Sequence, residues 1–318
     1  MREFTAMTNV FQNQALTVGA PVSFSKEFPL GEQWLMALLT FEIVIGTGGT
    51  TARADGELLF IKNILLKSDK DPIIINCPAR GLYYLGMRKA GGQAPYKDNI
   101  DTGTGSYFVQ IPLFFSNPLL NVPNDTFLDT SRYKSLTLEV TLGATTDLWS
   151  SVGSGAITSV NLSCDVMRVK GTPTVKTAFV PYTVAMPPVD PTSQSYVDLE
   201  RSGSLALLNV LLFSTTSATA GVGFSGVASS AVLDQIMIED NKEQLFNYRN
   251  EEQIRFENMI AGRHSNQTGQ YHFNFCSEGS IKNAYKTGDK TRLQVKFTND
   301  TPSTSGITAL IDGVKPAL

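Results

Sequence analysis

Leu58 to Asp69 reads LLFIKNILLKSD, and Ser230 to Asn241 reads SAVLDQIMIEDN. Ile61 aligns with Leu233, Ile64 with Ile236, Leu66 with Ile238 and Asp69 with Asn241, at a constant offset of 172 residues. Each copy is an apolar run that ends in a polar turn, the signature of a buried strand and its exit. The same offset carries a second element. Pro78 to Ala90 has helical spacing at Leu82, Leu85 and Lys89, with Pro78 suited to a first turn and Gly91-Gly92 to a stop. Asn250 to Gly262 repeats it, with Asn250 as cap, Glu251 and Glu252 at the positive end of the helix dipole, and Gly262 as stop. Leu82 then matches Ile254, Tyr84 matches Phe256 and Met87 matches Met259.

Strand, turn, helix and spacing recur together, and other strands follow in the same order. Val22 and Phe24 alternate with serines. Leu35 to Ile45 is a core strand, answered by Leu205 to Phe213. Ile111, Leu113 and Phe115 match Tyr271, Phe273 and Phe275 at an offset of 160. Leu136, Leu138 and Val140 match Leu293, Val295 and Phe297 at 157, and Ile157 and Val160 match Ile307 and Leu310 at 150. The falling offset predicts shorter loops in the second half, because insertions are tolerated in loops and not in packed strands. In the adjacent pair Phe114-Phe115, a strand must point one ring to each face.

Two stretches fall outside the repeat. Phe4, Met7 and Phe11 have a spacing that suits a short amphipathic helix, so residues 1–20 are expected to form an N-terminal arm. Pro173, Pro181, Pro187, Pro188 and Pro191 make residues 171–194 an extended connector, since proline removes ladder donors. The expected domains are 21–170 and 195–318.

Composition narrows the function. Of 318 residues, 42% are hydrophobic and 17% charged, against about 25% charged in soluble domains. Few charges with abundant Ser, Thr, Gly and Asn suit β structure with large buried or intersubunit surfaces, and exclude disorder. The net charge is −3, and Arg2 is the one basic residue among the first 25, so no cationic arm for phosphate backbones is expected. No signal-peptide pattern and no apolar run of about 18 residues predicts synthesis in the cytoplasm without a helical span. The N-x-S/T triplets at Asn124, Asn161, Asn266 and Asn299 are therefore read as accidents of composition.

No catalytic, cofactor or metal residue is assigned. Cys77, Cys164 and Cys276 lack metal or disulfide spacing and read as small buried residues. Gly221 to Gly226 spells G-x-G-x-x-G between two strands, where a dinucleotide site needs a strand and a helix. Thr102 to Ser106 lacks a phosphate-loop lysine. His264 and His272 are the only histidines and form no H-x-H; His264 is expected in a surface loop. Asp98, Asp101, Asp125 and Asp129 are loop acids without the dense alternation of a calcium loop.

The strand order resembles one family. FIKNILLKSD with its helix, YFVQIPLFFSNPLL, FLDTSRYKSLTLEVTLG and their second-half echoes look like a double jelly-roll major capsid protein. That family includes adenovirus hexon and the capsid proteins of tailless icosahedral phages with an internal membrane. At this length the chain is similar to corticovirus-type proteins and those of the Flavobacterium-infecting lipid-containing phage. The resemblance covers roughly residues 20–316. It implies an all-β chain of two tandem jelly-roll sandwiches with a few short helices. It also implies homotrimers with six similar barrels tiling an icosahedral virion, with neighbouring capsomers and minor capsid or spike proteins as partners. Residues 1–16 would lie on a neighbouring subunit or an internal membrane, no direct nucleic-acid contact is expected, and no cofactor or enzymatic activity is implied. The competing readings are a tandem β-sandwich that binds carbohydrate or a receptor, and an enzyme on the same scaffold.

Overall fold

The computed structural model describes residues 7–18, 23–116, 126–169, 179–189, 196–199, 205–216, 227–229, 233–241, 243–248, 252–254, 256, 269–276, 284–288, 293–299 and 305–316. Residue contacts divide the chain into two compact units, Met1–Pro181 with Ala317–Leu318, and Tyr182–Pro316.

The first unit contains β1 (Thr8–Leu16), β2 (Ser23–Glu27), β3 (Gln33–Thr47), α1 (Gly56–Phe60), β4 (Ile61–Ser68), β5 (Ile75–Cys77), α2 (Ala79–Lys89), β6 (Gly105–Phe114), β7 (Leu136–Leu142) and β8 (Ala156–Arg168). One sheet runs β1-β8-β3-β6 and the other includes β2-β7-β4-β5. The pairs between neighbours in these orders are antiparallel. Along β3, Leu39, Phe41 and Ile43 are buried while Leu38, Thr40 and Glu42 are half-buried. That period of two places one face of the strand in the core. Val160, Leu162 and Cys164 of β8 and Val109, Ile111 and Leu113 of β6 join it from the same sheet. Ile61, Ile64 and Leu66 of β4 and Leu136, Leu138, Val140 and Leu142 of β7 are fully or almost fully buried in the second sheet. Each such side chain stabilises the fold by about 1.5–3 kcal/mol. Phe115 is buried, its ring 6.4 Å from that of Trp34, while Phe114 is half-buried, so the two rings take different surroundings.

The second unit repeats this path. It holds β9 (Phe179–Ala185, whose last four residues open the unit), β10 (Tyr196–Asp198), β11 (Ala206–Thr216), β12 (Leu233–Asp240), β13 (Glu243–Tyr248), β14 (Gln270–Asn274), β15 (Leu293–Asn299) and β16 (Ser305–Pro316). Its strand orders are β9-β16-β11-β14 and β10-β15-β12-β13, which are the first unit's orders with eight added to every strand. The repetition extends to register. Ile64 faces Val140 and Leu66 faces Leu138, and in the second unit Ile236 faces Phe297 and Ile238 faces Val295. A β-bulge interrupts the first ladder between Ile61 and Asn63 and the second between Leu233 and Gln235. The extra residues, Lys62 and Asp234, are again 172 apart. The bulge explains why the buried Ile61, Ile64 and Leu66 step by three and then by two, since one unpaired residue reverses the alternation.

Several expectations need correction. Leu58 to Phe60 belong to α1 and not to the strand. Asp55 has φ 56°, and a Cβ on Gly56 would lie 2.6 Å from the Leu148 carbonyl oxygen, so the chain turns sharply before β4 begins. The stretch expected to be a helical arm is the strand β1 over Thr8–Leu16, paired with β8, which removes a helix lying on a membrane from those residues. Two register shifts and Asn13 at φ 49° disturb its alternation, and this irregularity mimics helical spacing; Phe4 lies outside the described residues. Phe179–Ala185, read as connector, is β9 beside β16 with its central residues buried.

Helix α2 ends as expected, but Pro78, expected in its first turn, stands just before it at the N-cap position with extended ψ. Gly91 (φ 70°) donates its N–H to Arg88 O at 3.1 Å and Gly92 (φ 91°) donates to Met87 O at 2.8 Å, a Schellman closure. Gly86 lets the helix approach β6, because a Cβ there would lie 2.4 Å from Pro112 Cγ. Gly86→Ala is therefore expected to cost about 1–2 kcal/mol, overpacking outweighing the gain in helix propensity. A lower Tm in a calorimetric scan checks this. In the second unit Glu252, Gln253, Ile254 and Phe256 are helical, and the predicted caps Asn250 and Gly262 lie outside the described residues.

Candidate functional site

The densest cluster of ionisable groups in the described chain lies where α1, α2 and the segment before β6 meet. The left-handed Asp55 presents its carboxylate to α2. Arg80 Nε and one of its terminal nitrogens donate to Oδ2 at 3.2 and 3.1 Å, and the Tyr84 hydroxyl donates at 2.7 Å. Lys97 Nζ lies 3.4 Å from Asp55 Oδ1, 2.6 Å from Glu57 Oε1 and 2.6 Å from Asn99 Oδ1. Glu57 is 1% exposed and Arg80 2%. Burial acts to raise the Asp55 pKa, but the charges of Arg80 and Lys97 and the Tyr84 hydrogen bond outweigh it and hold the carboxyl below its ordinary 3.8. Burial and the same carboxylate push the Tyr84 phenol well up. Two carboxylates and two cations thus balance in one knot, Glu57 and Arg80 buried and Asp55 and Lys97 half-buried. Such a knot ties elements together, and Asp55, held below its ordinary range, stays a carboxylate near neutral pH. Its positions have no counterpart in the second unit, where the 172-residue offset places Val227, Ser229, Glu252 and Phe256 for Asp55, Glu57, Arg80 and Tyr84.

The second unit has its own buried polar row, one residue from each strand of its β9-β16-β11-β14 sheet. Thr183 Oγ1 donates to Asp312 Oδ1 at 3.3 Å, and Asn209 Nδ2 donates to Asp312 Oδ2 at 2.8 Å. His272 Nε2 is 3.1 Å from Asn209 Oδ1. With its amide nitrogen turned to Asp312, Asn209 offers its oxygen to the histidine, so Nε2 carries the proton. All four residues are at most 3% exposed. Tyr271 and Phe273 flank His272 in sequence, and Phe273 packs on Phe246 and Tyr248 of β13 in the opposite sheet at 5.6 and 5.7 Å between ring centres. His272 and the polar row consequently lie on the outer face of their sheet.

The remaining residues singled out from sequence are dispersed. Asp98 accepts from the Phe108 N–H and the Tyr96 hydroxyl, both at 2.7 Å, and Asp101 accepts from the Gly103 N–H at 2.6 Å and the Tyr107 hydroxyl at 2.7 Å. Asp129 is buried, its Oδ1 accepting from Ser131 N and Oγ. These carboxylates close local turns. Among the described residues no group of three or more His, Cys, Asp or Glu is placed to hold a metal ion. The three cysteines are buried free thiols, and burial pushes Cys77 and Cys164 well above their usual range. His264, Asp125 and Gly221 to Gly226 lie outside the described residues. No described helix is long and apolar enough to cross a membrane. Sequence reasoning missed both networks. Glu57 and Lys97 are 40 residues apart, and Asn209 and Asp312 are 103 apart; an isolated polar residue in an apolar run, such as Asn209 in LALLNVLLF, was the one visible sign.

No protein-family model matches the chain, and no curated protein does. Solved structures match over its whole length. The STIV MCP aligns with a TM-score of 0.72 at 11% identity, covering 99% of this chain and 97% of that one. The major capsid protein P2 from bacteriophage PM2 aligns at 0.66 and 13% identity, covering 100% and 98%. The PBCV-1 virus capsid aligns at 0.63 and 12%, covering 99% and 94%. The chain is a double jelly roll. Each jelly roll is one of the two four-stranded sheet pairs described above, and their shared strand order, register and bulge identify the two as copies of one pattern. At 10–13% identity what these structures share with this double jelly roll is the fold.

Proposed function

We propose that this double jelly roll is the major capsid protein of an icosahedral virus, assembling as homotrimers whose six barrels form pseudo-hexagonal capsomers. The observation that carries the reading is the agreement of the whole chain, end to end, with structures named as viral capsid proteins. An internal duplication gives such a shell protein its use. A three-chain ring of two-barrel chains presents six similar sides, and six-sided tiles cover a surface with one kind of contact. The low charged fraction of 17% suits extensive protein–protein burial. On this reading the domains are two jelly rolls dividing near Pro181, the protein resides in the virion, and neighbouring capsomers and minor capsid or spike proteins are its partners. The tailless membrane-containing phages are the proposed group.

Electron microscopy of the purified full chain, with light scattering for mass, tests this. Six-sided particles of three chain masses, or closed shells, are expected. A protein that remains a single chain and binds a glycan on an array overturns the reading in favour of a carbohydrate-binding module.

A further inference from the structure

The duplication creates a folding hazard. With one strand pattern present twice, a strand of one unit can be captured by the partner strand of the other, and such misassembly is the characteristic failure of repeated domains. The buried faces do little to prevent it. Ile64 and Ile236 hold the same level in β4 and β12, and Leu66 and Ile238 hold the next. These side chains are identical in the first case and isomeric in the second, and burial of apolar surface is non-directional. Backbone hydrogen bonds are blind to sequence as well. Sharper discrimination needs directional groups, and those lie on the outer faces.

The outer faces of the two sheets share one layout. Asn63 Nδ2 of β4 donates to Asn76 Oδ1 of β5 at 2.8 Å, and Gln235 Nε2 of β12 donates to Asn247 Oδ1 of β13 at 3.0 Å. Leu65 and Met237 follow, both half-buried. Next comes an ion pair to the neighbouring strand, Lys67 to Glu139 of β7 at 2.6 Å in the first unit and Glu239 to Lys296 of β15 in the second. The registers agree. Leu65 faces Glu139 and Lys67 faces Thr137, while Met237 faces Lys296 and Glu239 faces Gln294. Each ion pair therefore crosses its ladder on the same diagonal. Lys67 and Glu239 are 172 residues apart, and Glu139 and Lys296 are 157 apart, the offsets that relate these strands throughout. The neutral pair keeps its chemistry between the units, and the charged pair keeps its place with its signs reversed.

We propose that this sign reversal is a sorting device that keeps the duplicated strands from exchanging partners. In the native register, β4 laid against β15 would bring Lys67 beside Lys296, and β12 laid against β7 would bring Glu239 beside Glu139. Each exchange replaces an attraction with a repulsion, and like charges across a ladder destabilise the pairing. A repulsive element set against the wrong partner is a general way to separate two similar partners. The four side chains are 14–41% exposed, so either ion pair adds little to the stability of the folded chain. Its effect lies in the difference between right and wrong pairing, where both exchanges count together.

Expression of the full chain tests this, with the insoluble or protease-sensitive fraction as readout. Lys67→Glu with Glu139→Lys keeps an ion pair in the first unit and leaves the net charge unchanged, but gives that unit the signs of the second. The misfolded fraction is expected to rise about threefold to tenfold, while the urea midpoint of the folded chain stays at the wild-type value. Glu239→Lys with Lys296→Glu is expected to do the same from the other side. All four substitutions together reverse both units, restore the clash in both wrong pairings, and are expected to return the fraction to the wild-type level. Wild-type folding of both two-residue variants overturns the proposal. So does a four-residue variant as impaired as either of them, because the loss then belongs to local contacts. The readout concerns the folding of each chain, so these outcomes leave the capsid reading standing.

Discussion

Ile64→Asp is expected to yield no folded protein. Ile64 is fully buried in β4, opposite Val140 of β7 and Cys77 of β5. Removing its side chain alone costs about 2–5 kcal/mol. Placing a carboxylate in the same space adds several kcal/mol more, because no buried cation stands opposite it. The sum rivals the entire stability of a domain, about 5–15 kcal/mol. Ile236→Asp, at the matching place in β12, is 2% exposed in the native chain and should disrupt the second unit in the same way. Soluble yield, circular dichroism and limited proteolysis are the measurements. A soluble Ile64→Asp chain with a cooperative melt would show that β4 does not occupy the core.

The second large effect is expected at the ion knot. Lys97→Met leaves Glu57, 1% exposed, without the ammonium that lies 2.6 Å away. Stripping one partner from a buried pair costs about 3–5 kcal/mol, and urea denaturation should show the midpoint falling accordingly. Adding Glu57→Gln removes the stranded charge, so the double variant should recover most of the loss. Recovery that fails would mean that Lys97 acts through packing of its stem. The same knot has a signed pH dependence. The Asp55 pKa is lower in the folded chain than its ordinary 3.8. Its contribution is therefore present above that value and is lost as pH falls through the lower folded value. Asp55→Asn should flatten the stability profile of the chain below pH 4 while lowering stability near neutrality. A profile as steep as that of the native chain would assign the acid sensitivity to other carboxylates.

The duplication was legible because it rests on local spacing. Ile61, Ile64 and Leu66 step by three and then two, Leu233, Ile236 and Ile238 do the same, and a helix follows each at one distance. The step of three is the bulge itself, written as a break in alternation, and the ladders place it at Lys62 and Asp234. Leu136 to Leu142 alternates cleanly because one face of β7 is core and the other is not.

The missed strands failed for the same reason in reverse. In β1 the register shifts around Phe11 and the left-handed Asn13 erase the period of two. In β9 Pro181 argued for a connector, but a proline is compatible with a strand wherever its missing donor is not required by the ladder.

The sequence by itself determined that one β pattern is used twice, where α2 and its second-unit counterpart fall and that no familiar catalytic motif is spelled out, because periodicity, capping and motif spacing are properties of neighbouring residues. Only the tertiary structure decided that residues 8–16 and 179–185 complete the sheets and that Glu57 and Asp312 are buried with partners. Those features depend on residues brought together from 40 to more than 100 positions apart, and a charge's burial follows from what packs over it rather than from what lies beside it in the chain.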